Sequence, residues 1–356
     1  MNALARRIAR MIEMDGPISV GAFMMLALHD REMGFYATRE SIGAAGAFVT
    51  APEISQAFGE LIGLWCAACW RDQGSTAATL LVDLGPGRGT LAADMLRALR
   101  RTPDFLNGLE VVLVEASAKL ESVQRERLAG APVSIRWVRR WDDIETDRPL
   151  FVIANEFFDA LPIRQFVMTE LGWCERMVTS QSDALAFALS PEAIRLNPDR
   201  GDAALGAVYE ISPAAASLAE DIGRSIAANG GAGLIIDYGY EQRGFGDTMQ
   251  AVRSHAYDDA LAAPGEADVS AHVDFSALAH VIRRSGARAH GPLPQAGFLR
   301  DLGIEMRGQQ LARGNPDHAA DIEAAIARLV GVEAMGKLFK VMSIVPPHAP
   351  VPPGFC

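Results

Sequence analysis

The sequence predicts a doubly wound α/β fold, built on a mostly parallel sheet, with a helical N-terminal region and an inserted antiparallel hairpin. Short apolar runs that indicate buried strands alternate with segments of helical periodicity from residue 79 onwards. This alternation is typical of parallel strands whose connecting helices pack on both faces of the sheet. The strand runs are residues 79–84, 111–115, 133–138, 150–154 and 233–237.

Segments outside this alternation set the expected domain boundaries. Residues 1–75 are mostly amphipathic helix and are expected to cover the ligand-binding edge of a core that spans residues 76–345. Within the core, residues 164–189 show apolar runs broken by turn residues, which indicates the inserted hairpin. Residues 241–275 are Gly- and Asp-rich and are expected to form a long loop that is functional or acts as a lid. Residues 346–356 are expected to form a frayed Pro-rich tail.

Composition and charge narrow the classes of function. The 356 residues carry 33 Lys and Arg against 44 Asp and Glu, which gives a net charge of −11. Nucleic-acid binding needs a concentrated basic face, so we expect no nucleic-acid partner, and a cationic substrate suits this charge better. Four scattered cysteines indicate a reducing compartment. No apolar run reaches the roughly 18 residues of a membrane span. The N-terminal helix, with Arg6, Arg7 and Arg10, has no secretory h-region, so we expect a cytoplasmic protein, with a short organelle presequence as the alternative.

The most informative local motif is a glycine turn, residues 81–90, with the sequence LVDLGPGRGT. It follows the first predicted strand and opens a helix, whose N-terminus offers backbone N–H groups and the positive end of a dipole. Gly85, Gly87 and Gly89 let the backbone turn tightly and approach a ligand with no Cβ in the way. A dinucleotide-binding turn would place its third glycine where this chain has Thr90.

Acidic residues at the ends of three successive strands indicate which ligand this turn binds. Asp83 precedes the first glycine, where an acid suits a cationic amine better than a pyrophosphate, and S-adenosylmethionine carries such an amine. Glu115 ends the second strand, where a carboxylate can accept hydrogen bonds from both ribose hydroxyls. Asp142 and Asp143 follow the third, where an adenine amino group would lie. Taken alone, the glycine turn could be a plain tight turn between a strand and a helix. Glu115 alone could be a solvated acid at the end of a strand.

Six longer motifs occur in order along the chain. They are GAFVTAPEISQAFGELIGLW at 46–65, DLGPGRGTL at 83–91, ANEFFDALP at 154–162, GDTMQ at 246–250, PGEADVSAHVDF at 264–275 and MGKLFK at 335–340. Together they resemble the hallmarks of the MidA family of S-adenosylmethionine-dependent methyltransferases, and the resemblance runs from about residue 5 to 345. That family often has Glu at the position of Asp83 and Thr at the position of Ser270, both conservative differences.

The resemblance implies a Rossmann-like, class I methyltransferase fold with an added helical N-terminal region. Eukaryotic members of the family are mitochondrial proteins needed for respiratory complex I assembly, and they symmetrically dimethylate an arginine in a complex I subunit. The resemblance therefore implies S-adenosylmethionine as cofactor and a protein arginine, in a respiratory complex I subunit, as substrate. A eukaryotic protein of this kind would lie in the mitochondrial matrix.

An arginine substrate needs carboxylates, because its guanidinium stays protonated at physiological pH and must be held and oriented. Glu156 and Asp159 follow the fourth strand, and their spacing puts both on one face if this turn is helical. His272 and Asp274 are candidates for a second orienting or proton-accepting group. The alternative for residues 155–159 is a capped helix start after a strand. The alternative for His272 is a surface histidine that only forms hydrogen bonds.

Three further residues are predicted to contact the cofactor. Asn155 directly follows the fourth strand run, and Thr50 and Glu53 are expected to fold over the cofactor. A helix N-cap at Thr50 and a first-turn acid at Glu53 explain these two nearly as well.

No metal site is predicted. Cys66 and Cys69 have the spacing of half a zinc site, but no second pair at matching spacing accompanies them. Residues 331–337 resemble a phosphate-binding loop, but Leu338 replaces its Ser or Thr and a helix, not a strand, precedes it.

Two other functions stay open beside the methyltransferase. The first is a nicotinamide-dependent oxidoreductase of the same fold class, against which Thr90 argues. The second is a non-catalytic assembly chaperone that uses the fold as a binding platform. The acids Asp83, Glu115 and Glu156 argue against this second function.

Overall fold

The computed structural model describes residues 1–38, 50–196, 203–242, 244–253 and 256–355. The first four residues of the 46–65 motif lie outside these ranges. The chain divides into two compact units. The first unit comprises Met1–Phe48, Asp159–Ala216 and Gln242–Asp274, and the second comprises Val49–Phe158, Ser217–Glu241 and Phe275–Cys356. The boundaries expected at residues 75 and 345 stay a prediction.

The second unit is organised around one large sheet, whose strands alternate with helices along the chain. In the described residues its strands are β1 Thr79–Leu84, β2 Leu109–Val114, β3 Ser134–Val138, β4 Leu150–Asn155, β5 Gly231–Tyr240, β6 Arg288–Pro294 and β7 Phe339–Val345. Their order across the sheet is β6-β7-β5-β4-β1-β2-β3. The pairs among β1 to β5 are parallel, and β7 runs antiparallel to both β5 and β6.

The position of β1 determines where a ligand can bind. The chain moves from β1 outward through β2 and β3 on one side, then returns to add β4 and β5 on the other. In such sheets, the crevice at the carboxyl ends of the strands where the order reverses is the usual ligand site. The glycine turn follows β1 directly, so it lies at this switch point. This arrangement is the doubly wound α/β sheet that the sequence predicts.

Burial explains why the strand runs are continuously apolar instead of alternating. Every residue of β1 and β4 is buried, as expected for strands covered by helices on both faces. The core of this unit packs Trp65, Phe151, Leu234, Phe298 and Val341 together with many smaller side chains. Its helices are Ala51–Ile54, Gln56–Asp72, Thr90–Leu99, Pro103–Asn107, Ala118–Arg127, most of Pro213–Asn229, Phe275–Arg284, Gln295–Asp301, Ile304–Gly314 and Ala319–Val330.

Two glycines of the 46–65 motif allow the helix Gln56–Asp72 to approach the helix that follows the glycine turn. A Cβ on Gly59 would lie 2.6 Å from the Cβ of Asp94, and one on Gly63 would lie 2.9 Å from the Cα of Met95. Both separations are shorter than any van der Waals contact, so a larger residue would push the helices apart.

The first unit combines helices with antiparallel strands. Its helices are Ala3–Asp15, Val20–His29 and Phe35–Thr38. Strand Gly172–Gln181 pairs antiparallel with Ile18–Ser19, Arg164–Thr169 and Ala184–Ile194, and Val208–Ile211 pairs with Arg164–Thr169. A second sheet orders Ala256–Asp258, Gln250–Arg253 and Asp268–Ser270, and Val273–Asp274 follows. Leu4, Ile8, Phe23, Val178 and Val269 belong to one core cluster of this unit.

None of the helices in the described part of the chain combines the length and the apolar composition that crossing a membrane requires.

Candidate functional site

The glycine turn after β1 adopts a conformation that requires its glycines. Gly85, Gly87 and Gly89 have φ values of 65°, 55° and 77°, in the left-handed region that costs other residues about 1–2 kcal/mol each. Gly85 is also crowded, because a Cβ there would lie 2.8 Å from the Cδ2 atom of Phe157. The Gly85 N–H donates to the carbonyl oxygen of Val114 (3.1 Å), which joins the turn to the end of β2.

Asp83 is a buried carboxyl at the end of β1. It is 1% exposed, and its Oδ2 atom has no hydrogen-bond partner among the residues that the structure describes. Burial, and secondly the charge of Glu115, raise the pKa of Asp83 to about 8. The site is therefore costly to ionise alone, and a cation placed beside Asp83 would offset that cost.

Glu115 follows β2 and is held by the chain on both carboxylate oxygens. Its Oε1 atom accepts from the Ser117 N–H (2.7 Å), and its Oε2 atom accepts from Nε2 of Gln124 (3.0 Å). Burial raises the pKa of Glu115, while these hydrogen bonds oppose the shift. Gln124 was missed by the sequence reasoning, because nothing in its charged helix distinguishes it from a solvent-facing residue.

Asp142 and Asp143 lie on the short 3₁₀ helix Trp141–Asp143, which follows β3. Both are exposed. The Oδ2 atom of Asp143 accepts from the backbone N–H of Arg140 (3.1 Å), so this carboxylate caps its own turn. The structure does not bring either residue into the buried group formed by Asp83 and Glu115. Contact of this pair with adenine stays a prediction.

The turn after β4 holds Glu156 in an uncommon backbone conformation. Its φ of 51° lies in the left-handed region, and a non-glycine residue held there often marks a functional site. The Oε1 atom accepts from the backbone N–H of Ala51 (3.0 Å) and from Nδ2 of Asn155 (3.2 Å). Oδ1 of Asn155 is buried and lacks a hydrogen-bond partner within the described ranges.

Asp237, at the carboxyl end of β5, stabilises this turn. It is fully buried, and its Oδ2 atom accepts from the backbone N–H groups of Phe157 (3.2 Å) and Phe158 (3.0 Å). The sequence reasoning placed Asp237 at a strand end without assigning it a role. An acid that ends an otherwise apolar strand run was the available signal.

Glu53 contacts the helix that the glycine turn opens. Its carboxylate accepts a hydrogen bond from the hydroxyl of Thr90, so the segment after Thr50 folds back onto the start of that helix. Thr50 occupies the N-cap position of the helix Ala51–Ile54, but its side chain makes no capping hydrogen bond. Glu53 therefore lies beside the turn, and its contact with the cofactor stays a prediction.

The other three candidate catalytic residues belong to the first unit, and all are half-buried. The carbonyl oxygen of Asp159 accepts from the backbone N–H of Ala271 (3.0 Å), next to His272. The His272 N–H donates to Oγ1 of Thr248 (2.9 Å), and Asp274 ends the strand Val273–Asp274. Asp159 is thus joined through the backbone to the segment that carries His272.

Thr248 belongs to a partly buried polar network that the sequence reasoning did not assign. Its hydroxyl donates to Oε2 of Glu210 (2.5 Å), and Nε2 of Gln165 donates both to Oε1 of Glu210 (2.6 Å) and to Oδ1 of Asp247 (2.8 Å). Arg176 pairs with Oδ2 of Asp247 at 2.6 Å. Asp247 and Thr248 belong to the GDTMQ motif, which was the available signal.

The arrangement of polar atoms in the second unit fits S-adenosylmethionine. Oδ2 of Asp83 and Oδ1 of Asn155 are buried acceptors at the carboxyl ends of β1 and β4, which are adjacent parallel strands. An amino group and ribose hydroxyls are hydrogen-bond donors of the kind that such acceptors require. The residues present therefore suit the cofactor that the sequence predicts.

Comparisons with known proteins agree with this geometry. The family model described as S-adenosyl-L-methionine-dependent methyltransferase matches residues 61–293. The mitochondrial protein arginine methyltransferase NDUFAF7 of Danio rerio is 35% identical, over 96% of this chain and 87% of its own length. The human protein of the same name is 34% identical, over 96% of this chain and 83% of its own length.

One similar solved structure contains a bound product of the cofactor. The crystal structure of a Burkholderia thailandensis protein bound to S-adenosyl-homocysteine superposes with a TM-score of 0.86 at 28% identity. The match covers 99% of this chain and 94% of that one. The predictions of an α/β methyltransferase fold and of S-adenosylmethionine as cofactor are confirmed. The chain belongs to the MidA-like family of S-adenosyl-L-methionine-dependent methyltransferases.

Proposed function

We propose that this methyltransferase modifies an arginine side chain of a protein partner. The observation that carries the proposal is the carboxylate of Glu156, which the chain holds in a fixed position at the carboxyl edge of the sheet. The relatives named protein arginine methyltransferase, at 34–35% identity over nearly the whole chain, support the same substrate class. A respiratory complex I subunit, which the family resemblance implies, is the first partner to test.

The backbone of Glu156 supports a functional role for its side chain. A positive φ in a non-glycine residue costs of order 1–3 kcal/mol and persists only where the surroundings enforce it. Here Asp237 enforces it by accepting the two N–H groups that follow Glu156. A residue needed only as a link between strand and helix would be better served by glycine.

Two donors hold the side chain of Glu156 in place. The Ala51 N–H and the Asn155 amide both donate to Oε1. A guanidinium is an expensive group to bury unless a carboxylate pairs with it, frequently through two parallel hydrogen bonds. A fixed carboxylate therefore selects a planar cation and orients it.

The chemistry divides between the cofactor and the chain. S-adenosylmethionine supplies an electrophilic methyl group on its sulfonium. Glu156, with help from Asp159, holds the guanidinium so that one nitrogen is presented as the nucleophile. That nitrogen must lose a proton for the product to remain a singly charged guanidinium, and His272 and Asp274 are proposed to orient the group or accept the proton.

The cofactor contacts are proposed as follows. Glycine backbone at the turn allows close approach, Asp83 and Asn155 accept from the amino group or hydroxyls, and Glu115 accepts from the ribose. Thr50 and Glu53 fold over the cofactor, and Asp142 and Asp143 approach the adenine. The full set is Thr50, Glu53, Asp83, Gly85, Gly87, Gly89, Glu115, Asp142, Asp143 and Asn155.

The test is the substitution Glu156→Gln, which keeps the shape and the Oε1 acceptor but removes the charge. Methyl transfer should fall by at least about 10²-fold, as is typical when one electrostatic stabiliser is lost. The assay uses the proteome of cells that lack this gene, with isotope-labelled S-adenosylmethionine and mass spectrometry of methylarginine. The affinity for S-adenosylhomocysteine, measured by calorimetry, should persist.

Glu220→Gln is the matched control, because it makes the same change on the surface of a helix, where Glu220 pairs with Arg224. It should leave methyl transfer unchanged. Full transfer by Glu156→Gln would remove Glu156 from the mechanism. Transfer to lysine or to a small molecule, with no methylarginine formed, would contradict the arginine substrate.

A further inference from the structure

Gln124 is a fully buried amide on a mostly polar helix. The helix Ala118–Arg127 buries only Leu120 and Gln124, and Gln124 is 0% exposed. A buried amide is costly unless its polar atoms are satisfied, so the partners of Gln124 show why it is there.

Each polar group of Gln124 has a specific partner. Nε2 donates to the carbonyl oxygen of Gly87 (2.7 Å) and to Oε2 of Glu115 (3.0 Å), so both amide hydrogens are used. Oε1 accepts from the indole Nε1 of Trp137 (2.9 Å). Because an indole N–H can only donate, it fixes the orientation of the amide and directs both amide hydrogens towards Gly87 and Glu115.

The aliphatic part of the side chain fills the space beside Gly89. Cγ of Gln124 lies 3.4 Å from the position that a Cβ on Gly89 would take. One side chain thus forms hydrogen bonds both to the glycine turn and to Glu115. These are two separate elements of the sheet edge, one after β1 and the other after β2.

We propose that Gln124 is a positioning residue that couples the glycine turn to Glu115 and thereby sets the affinity for the nucleoside part of the cofactor. The inference rests on the proposed cofactor roles of Gly87 and Glu115. A carboxylate has about four lone-pair sites. Ser117 and Gln124 take one on each oxygen of Glu115, and the Ala116 backbone N–H also acts on this carboxylate, so acceptor capacity remains for a ribose hydroxyl.

Glutamate at position 124 would disturb this arrangement in a pH-dependent way. An ionised carboxylate cannot donate to Glu115 and would repel it, whereas a protonated carboxyl can donate one hydrogen bond. The other charged groups that act on Glu115 are Asp83 and Arg139. Both are present in wild type and variant, so the ratio of the two dissociation constants isolates the change at residue 124.

The experiment measures the Kd of S-adenosylhomocysteine by calorimetry from pH 6 to pH 8. Gln124→Glu should bind about 10- to 100-fold more weakly than wild type at pH 8, the loss expected for a hydrogen bond to a charged group. The ratio of the Kd of Gln124→Glu to that of the wild type should decrease towards pH 6. Gln124→Leu should also bind more weakly than the wild type, but its Kd ratio should not change with pH.

Gln295→Glu is the matched control. Gln295 is equally buried in the same unit, and its Nε2 atom donates to the carbonyl oxygen of Leu329. This variant should lose thermal stability but keep the wild-type Kd at every pH. Trp137→Phe leaves Gln124 in place but releases its orientation, so its Kd should rise several-fold, and it provides a readout if Gln124→Glu does not fold.

Wild-type Kd values in Gln124→Glu and Gln124→Leu, or in Trp137→Phe, would overturn the inference. So would a loss of thermal stability in Gln124→Glu that matches Gln295→Glu with no change in Kd. Methyl transfer is not part of the readout. A wild-type protein that binds S-adenosylhomocysteine but forms no methylarginine would contradict the arginine proposal and leave the role of Gln124 intact.

Discussion

The buried carboxyl of Asp83 predicts that cofactor binding releases a proton. Burial and the neighbouring charge of Glu115 raise the pKa of Asp83 to about 8, so below neutral pH the ligand-free carboxyl is mostly protonated. The amino group of the cofactor is an amino-acid ammonium group and is cationic below neutral pH. An ammonium–carboxylate pair can form only if Asp83 gives up its proton.

The size of the effect follows from linkage. Between pH 6 and pH 7 the affinity for S-adenosylhomocysteine should rise by about tenfold per pH unit, and the rise should level off near pH 8. Asp83→Asn has no proton to release, so its affinity should be weaker than that of the wild type at pH 7.5 and should not change between pH 6 and pH 7. Asp147→Asn, a change at an exposed carboxylate paired with Arg148, should keep the wild-type slope.

The same shift predicts a change in the stability of the ligand-free protein. The folded-state pKa of Asp83 is raised above its unfolded value of 3.8, so the stability due to this group is fully present below about pH 4. It is lost by roughly 1.4 kcal/mol per pH unit as the pH rises towards 8. Asp83→Asn should therefore raise the Tm of the ligand-free protein at pH 8, and the difference should shrink towards pH 4.

Calorimetry in two buffers of different ionisation enthalpy measures the proton release directly. At pH 6.5 the wild type should release close to one proton per S-adenosylhomocysteine bound, and Asp83→Asn none. A wild-type Kd that does not change between pH 6 and pH 7, with no proton released, would refute the pairing of Asp83 with the cofactor.

Two further predictions concern packing and the polar network. Gly59→Ala should lower the free energy of unfolding by about 1–3 kcal/mol, because its Cβ would lie 2.6 Å from that of Asp94. In the same denaturation assay Gly297→Ala, whose Cβ meets nothing within 4 Å, should be neutral or stabilising by about 1 kcal/mol. Thr248→Val removes the hydroxyl donor to Glu210 and should cost about 1–3 kcal/mol in urea unfolding; an unchanged midpoint would show that the network is not stabilising.

The sequence was sufficient to predict the features that depend on local backbone geometry. Continuous apolar runs identified β1 and β4 because strands buried on both faces need apolar residues at every position. The glycine turn was identifiable because Gly85, Gly87 and Gly89 all adopt positive φ, which other residues avoid. The family motifs then indicated the methyltransferase fold and its cofactor, both of which are confirmed.

Other features depend on which residues meet from distant parts of the chain. Asp142 and Asp143 follow β3 as predicted, yet both are exposed, because a position after a strand does not fix the direction of a side chain on a short 3₁₀ helix. Nothing in the local sequence distinguishes Gln124 from its charged neighbours. Its burial is decided by Gly87, Glu115 and Trp137, which come from three other segments.

The strain at Glu156 has the same origin. The sequence places an acid after β4, but its positive φ is maintained by Asp237, 81 positions further along the chain. Local sequence determines the hydrophobic periodicity of helices and strands, the type of each turn and the ends of the strands. These features follow from the conformational preferences of neighbouring residues. Tertiary packing determines which polar groups are buried and which partners satisfy them, because desolvation acts on each group through everything that surrounds it.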